Sequence, residues 1–326
     1  EAPPAPEAIL GISRGRSPGE AAVVRAGGRV DFVALADGGV AATIETGAVA
    51  WATRYPHAGE MPPAYEFRHE ESTVMAGLPA ASVDGRTVAV AGSELLEWSG
   101  AAGPRSLLRD PVLLGARLAA HRGPGTPILL ALKDHRVARI DPAGRMTLSR
   151  ALPPLTCLVS TEDGAVAGGE GDSWHLLRGE RLDRILRVRL EGWTPPVTAL
   201  AVSEAGDHVA VSHGLCLPDN AVFRLRRLWK PSLARVFHAK GPGAVSVAFD
   251  PGQGTLYLGK ACGGVGYCGD FGYHGFPLGG NPHHAIALLD GGRVLLRGWD
   301  DGTLYAERVP EEEGLWGDYP VKRRGD

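Results

Sequence analysis

An all-β fold is predicted by three features of this 326-residue chain. Glycine (46 residues) and proline (25) interrupt it too often for long helices. Short Val/Leu/Ala/Ile runs lie between them and read as strands joined by tight turns. These runs recur at steps of roughly 40 residues, beginning near Phe32, Val74, Leu113, Leu155, Val197, Val245 and Ala285. A unit of that length holds four short antiparallel strands, yet it cannot bury both sheet faces alone. Radial stacking buries the faces and leaves only short edges. Seven such units predict a seven-bladed β-propeller of four-stranded antiparallel blades. The competing reading is an irregular pair of β-sandwiches.

Each unit repeats one grammar. "FVALADGGVAATIETGAVAWATR" gives strand, Asp-Gly-Gly turn, strand, short turn, strand. "GLPAASVDGRTVAVAGSELLEWSG" repeats it, as do "TALAVSEAGDHVAVSHG" and "SVAFDPGQGTLYLGK". "ERLDRILRVRLEG" is the best helical candidate, but its second half alternates like a strand and is assigned as one. "AIALLDGGRVLLRGWDDGTLYAERV" is the clearest copy. Residues 8–309 are assigned to the propeller. Residues 1–7, Pro/Ala-rich and acidic without a positive segment, read as a disordered lead-in and not a signal peptide. The absence of an initial Met leaves an upstream segment open. Residues 310–326 form a tail whose Trp316 and Tyr319 sit between an acidic and a basic cluster. The segments "AILGISRG" (Ala8 to Gly15) and "AAVVRA" are expected to lend strands to the last blade, closing the ring through both termini.

Here the chain resembles the WD-repeat propellers. "LLRGWDDGTLYAERV" looks like the second strand, Asp-Gly turn and third strand of a WD blade, with Asp301 and Gly302 at the turn. Trp51 and Trp98 fall where that family's third-strand Trp lies. No unit pairs a Gly-His entry with a Trp-Asp exit, and Trp299-Asp300 falls at the turn between second and third strands. The family's internal hydrogen-bond tetrad is therefore not supported. The resemblance is to a degenerate, bacterial WD-like propeller. It implies an interaction scaffold in a multi-protein assembly, for example beside AAA ATPases or von Willebrand A-type proteins.

Composition narrows the classes. Hydrophobic residues at 44% and charged residues at 22% are ordinary for a globular protein. A net charge of −3 gives no general pull toward nucleic acid or an anionic membrane. No apolar run reaches the roughly 18 residues of a membrane helix. Four cysteines are too few for a disulfide framework, so a cytoplasmic location is expected. Cys157, in "LTCLV", reads as a small buried hydrophobe. The Ala, Gly and Arg usage fits a GC-rich bacterial coding sequence.

No P-loop, G-x-S-x-G or H-E-x-x-H motif occurs, and no cofactor is expected. Asp163, Asp207, Asp250, Asp290, Asp300 and Asp301 sit at predicted turns and read as turn-forming side chains. Two stretches stand out. From Asn220 to Phe249 no acidic residue occurs, while Arg224, Arg226, Arg227 and Lys230 supply positive charge. This is either a charged outer strand that blocks edge pairing or a docking surface for an acidic partner. "KACGGVGYCGDFGYHGFPLGGNPHH" (Lys260 to His284) carries eight glycines with Tyr267, Phe271, Tyr273 and Phe276 interleaved. It reads as an elaborated loop or a degraded outer pair of strands, with aromatics suited to contact. Cys262 and Cys268 are too far apart for a zinc knuckle. A metal recruiting Cys216, Cys262, Cys268 and His274 is the minority reading beside free thiols or a disulfide.

The sequence thus predicts a non-catalytic scaffold whose partner is another protein, in a hetero-complex, meeting the fifth and sixth units. The alternative is a ligand-binding or hydrolytic propeller with its site at the central channel mouth.

Overall fold

A computed structural model describes residues 5–56, 72–99, 103–162, 164–171, 173–189, 196–203, 205–213, 219–225, 235–240, 244–250, 255–260, 265–269, 272–276, 283–299 and 301–309. All regular structure among them is β, apart from one 3₁₀ turn at Pro111–Leu113.

The first sheet is a meander of β1 (Ile9–Arg14), β2 (Glu20–Arg25), β3 (Arg29–Ala34) and β4 (Val40–Glu45). A separate hairpin follows, β5 (Trp51–Pro56) with β6 (Ser72–Gly77). The second sheet holds β7 (Ala80–Val83), β8 (Arg86–Ala91), β9 (Glu94–Ser99) and β10 (Arg105–Arg109). The third holds β11 (Leu118–Ala120), β12 (Ile128–Ala131), β13 (Val137–Ile140) and β14 (Met146–Leu148). The fourth has β15 (Leu155–Ser160), β16 (Gly164–Gly169), β17 (Ser173–Arg178) and β18 (Arg184–Arg189). The fifth has β19 (Val197–Val202), β20 (His208–His213), β21 (Asp219–Arg224) and β22 (Arg235–Lys240). The sixth has β23 (Ala244–Asp250), β24 (Thr255–Lys260), β25 (Val265–Gly269) and β26 (Gly272–Phe276). The last has three strands, β27 (His283–Leu289), β28 (Val294–Trp299) and β29 (Leu304–Arg308).

The propeller architecture is as expected, but its count is not. Six four-stranded blades form instead of seven, and the unit beginning near Ala285 makes a sheet of three strands among the described residues. The expected units near Leu155, Val197, Val245 and Ala285 begin on or beside the first strands of their sheets. Those near Phe32 and Val74 are out of phase, lying in β3 and β6. Every hairpin here shares the same strand–turn–strand pattern, so a third-to-fourth hairpin reads like a first-to-second one. Trp98 lies on a third strand as expected, whereas Trp51 belongs to the extra hairpin.

First strands follow one another around the ring, β1 beside β7, then β11, β15, β19, β23 and β27, with β27 returning to β1. Apolar clusters fill the gaps between neighbouring sheets. Trp174 and Phe223 (ring centroids 5.1 Å apart) anchor the one between the fourth and fifth. In five sheets the first strand bulges by one residue at the same place, after Ile9, Leu155, Val197, Ala244 and His283. Such a bulge re-aims a side chain. At Thr156 it sends the hydroxyl to the Val197 carbonyl of the next sheet at 2.8 Å.

Closure also differs from expectation. β1 and β2 pair with β3 within their own sheet, and the last sheet contains only C-terminal strands. Short local connections favour this meander. The ends meet by packing. Ile9 fills the place where a side chain at Gly298 would sit, its Cγ2 overlapping that Cβ position. Arg25 Nη1 donates to the Gly302 carbonyl at 3.0 Å. Gly302 has φ +87°, and a Cβ there would press on Glu7 and Arg25. The WD-like Asp301-Gly302 turn is thus part of the seam.

Candidate interaction surface

Of the four basic residues singled out in the fifth unit, Arg224 ends β21 and is half-buried. Arg226, Arg227 and Lys230 lie outside the described residues. The Arg224 Nε points at His208 Nε2 (3.4 Å), and His208 Nδ1 meets Asp207 Oδ1 at 2.8 Å. Ser203 Oγ donates to the same carboxylate oxygen at 2.9 Å. Desolvation pushes the Asp207 carboxyl up, but hydrogen bonds from His208 and Ser203 outweigh it and hold it below the usual range. Ser, His and Asp come together here without the order of a nucleophilic triad. The hydroxyl faces the carboxylate, and Arg224 takes the imidazole nitrogen that would act as base. The arrangement locks the turn between β19 and β20. The His208 N–H completes it by donating to Ser203 Oγ at 3.1 Å.

The glycine-rich stretch contains paired strands. Tyr267 and Cys268 lie on β25, and Tyr273, His274 and Phe276 on β26. Tyr267 stands opposite His274 and Cys268 opposite Tyr273. Phe271, Cys216 and Cys262 lie outside the described residues. The outer strands β22 and β26 touch, so the basic and aromatic units are neighbours along the rim. Among the described residues, no group of three or more His, Cys, Asp or Glu side chains could hold a metal ion.

Predicted turn carboxylates behave as expected at Asp301, which accepts from the Thr303 N–H at 2.8 Å. Asp290 occupies the turn by another route, with φ 53°. Asp163 and Asp300 lie outside the described residues. Cys157 packs against the cluster between the fourth and fifth sheets, and burial pushes its thiol up to about 12. A thiol held that far above neutral pH has almost no thiolate. In the folded protein Cys157 should therefore react with maleimide at least tenfold more slowly than in urea, read by mass spectrometry of the Cys157 peptide.

Two clefts went unseen in the sequence. Both open on the face carrying the turns from first to second strands. One, of about 470 Å³, lies over the second sheet among Arg16, Asp84, Arg86, Glu97 and Pro124. Its charges are committed. Arg86 Nε binds Glu97 at 2.6 Å, and its Nη1 donates to the carbonyls of Thr126 (2.6 Å) and Gly123 (3.1 Å). Arg105 takes the other Glu97 oxygen at 2.5 Å. Desolvation raises the Glu97 carboxyl, yet Arg105 and Arg86 together bring it below its ordinary value. The other cleft, of about 380 Å³, lies between the third and fourth sheets, lined by Arg139, Arg178, Arg184, Thr161, Glu162 and Glu180. Arg139 and Arg178 both sit on third strands, one repeat apart. That recurrence was the available signal.

No protein-family model and no curated protein matches the sequence. Solved structures do. The Pan2 WD40 domain of Neurospora crassa matches with TM-score 0.66 at 11% identity, over 94% of this chain and 90% of that one. The Cps50 (Swd1) β-propeller domain of Myceliophteria thermophila matches with TM-score 0.66 at 14% identity, over 93% and 97%. A chain of the mitotic checkpoint complex matches with TM-score 0.64 at 13% identity, over 94% and 88%. At such identities the likeness speaks for fold, and in fold this chain is a WD40-like β-propeller.

Proposed function

We propose that the chain is a non-catalytic protein-interaction scaffold, a subunit of a bacterial, cytoplasmic hetero-complex. One observation carries this reading: nearly the whole chain superposes on a WD40 domain and a β-propeller domain, and a further match is a chain of the mitotic checkpoint complex. Its polar clusters support it, since Ser203–Asp207–His208 and Arg86–Glu97 are tied into fixing turns and sheets. No helix among the described residues is long and apolar enough to cross a membrane.

The partner surface proposed comprises Arg224, Arg226, Arg227 and Lys230 of the fifth unit with Tyr267, Phe271, Tyr273 and Phe276 of the sixth, two units whose outer strands β22 and β26 touch. Positive charge speeds encounter with an acidic partner, and buried rings slow its departure. Arg224 also braces His208, so the charge test is best made at Arg226 and Arg227. With a partner recovered by crosslinking in the native host, Arg226→Glu with Arg227→Glu should slow association and flatten its salt dependence. Tyr267→Ala and Tyr273→Ala should speed dissociation, each by roughly 1 kcal/mol. Wild-type kinetics in both variants would move the interface elsewhere on the ring.

A further inference from the structure

We infer that the cleft between the third and fourth blades is a binding site for a phosphorylated side chain of a peptide. It is a site separate from the rim of the fifth and sixth blades, on the face carrying the first-to-second-strand turns.

The turn from β17 to β18 is built to place charge at a cost. Arg178 and Arg184 stand directly opposite each other across the pair. Like charges so placed repel and destabilise a sheet. The turn that joins them holds Leu182 at φ 51°, a left-handed conformation that leucine rarely adopts. The strain is held in place because the Leu182 side chain is fully buried among Leu129, Leu155 and Leu177. A second tie comes from the neighbouring sheet, where Thr147 Oγ1 donates to the Glu180 carbonyl at 3.0 Å. Strain held by such constraint clusters at ligand clamps and active sites, and here it fixes where Arg178 and Arg184 stand.

Arg139 reaches the same cleft from the third sheet. Arg178 spends one N–H on the Leu225 carbonyl at 2.8 Å. Arg139 and Arg184 have no ion pair or side-chain hydrogen bond among the described residues. Three guanidiniums on one small concavity suit a dianion, because each fork matches a pair of phosphate oxygens. A single carboxylate carries half that charge. Glu162 and Glu180 on the same lining repel any anion, so the basic surface is confined to the three guanidiniums and is not the continuous basic track that a nucleic acid or an anionic bilayer needs. A cleft of about 380 Å³ accepts a phosphoserine or phosphothreonine with its flanking backbone.

The probe is a peptide library with a fixed central phosphoserine and randomised flanks, presented to the full chain. The best peptide is then made in phosphorylated, unphosphorylated and Glu-substituted forms and titrated by fluorescence anisotropy. The phosphorylated form should bind at least tenfold tighter than the other two. Arg139→Gln and Arg184→Gln should each weaken it at least tenfold with an unchanged melt, since neither side chain hydrogen-bonds another described residue. Glu162→Gln should tighten it. The inference fails if the library shows no preference for phosphoserine over serine. It fails equally if the selected peptide binds both Arg variants as it binds the wild type, or if only inorganic phosphate binds.

Discussion

Arg25→Ala should remove about 3 kcal/mol of stability, one of the largest losses any single polar residue here would cause. Asp31 is 2% exposed and sits at the centre of the first sheet. Its carboxylate meets Arg25 Nε at 2.6 Å, Arg29 Nε at 3.2 Å and the Thr43 hydroxyl at 2.9 Å. Truncating Arg25 leaves that buried charge with one guanidinium of its two. The same substitution removes the hydrogen bonds from Arg25 Nη1 to the carbonyls of Glu7 and Gly302, which join the ends of the ring. Among the described residues, the apolar contacts left between first and last sheets would be those of the Ile9 and Ala21 clusters. Urea denaturation should show a lower midpoint. Arg109→Ala is the control, because its pair with Glu94 is exposed and screened by solvent. A loss in Arg25→Ala no greater than in the control would show that apolar packing closes the ring unaided.

The seam also shows what the sequence could and could not reveal. β28 and β29 were legible because Asp301-Gly302 is a strong turn signal between alternating strands. β1 and β2 were equally legible as strands, but their membership was not. Propensity reports that a segment is extended and is silent on which edge it joins. Arg25 and Asp31 flank the turn of one hairpin, so their pairing was within reach once β2 and β3 were paired. Hairpin β5–β6 deceived for a related reason. Trp51 has the composition of a third-strand Trp, yet its indole N–H donates to the Arg117 carbonyl beside the third sheet at 2.8 Å. Only tertiary contact distinguishes the two. The arginine cleft draws on residues from Arg139 to Arg184 in different sheets. Its convergence follows from blade stacking, which local pattern does not encode. Leu182 is the sharpest case, since a leucine in a left-handed turn contradicts its own local preference.

Lowering the pH from 7 to 4 should destabilise the fold through His121 by roughly 3 kcal/mol. His121 is buried beneath the cleft over the second sheet, facing Arg86 and Glu97. Its Nδ1 accepts from the Gly123 N–H at 3.1 Å, which leaves Nε2 to carry the proton toward the Ala81 carbonyl at 3.3 Å. Both nitrogens are satisfied in this neutral tautomer. Desolvation, and then the charge of Arg86, bring its pKa from 6.5 down to about 4. The unfolded chain therefore binds a proton between those values while the folded chain does not. Stability is full above pH 6.5 and is lost as pH falls toward 4. Glu97 acts with the same sign at lower pH, because its depressed carboxyl withholds stability only once pH falls below its ordinary range. The two windows separate in a titration. His121→Gln keeps a donor and an acceptor but cannot titrate. Urea denaturation at steps from pH 7.5 to 4.5 should show the wild type losing more stability than this variant, with the gap between them narrowing as pH falls. Parallel curves across that range would mean that His121 protonates without penalty and that the pocket admits water or opens around it.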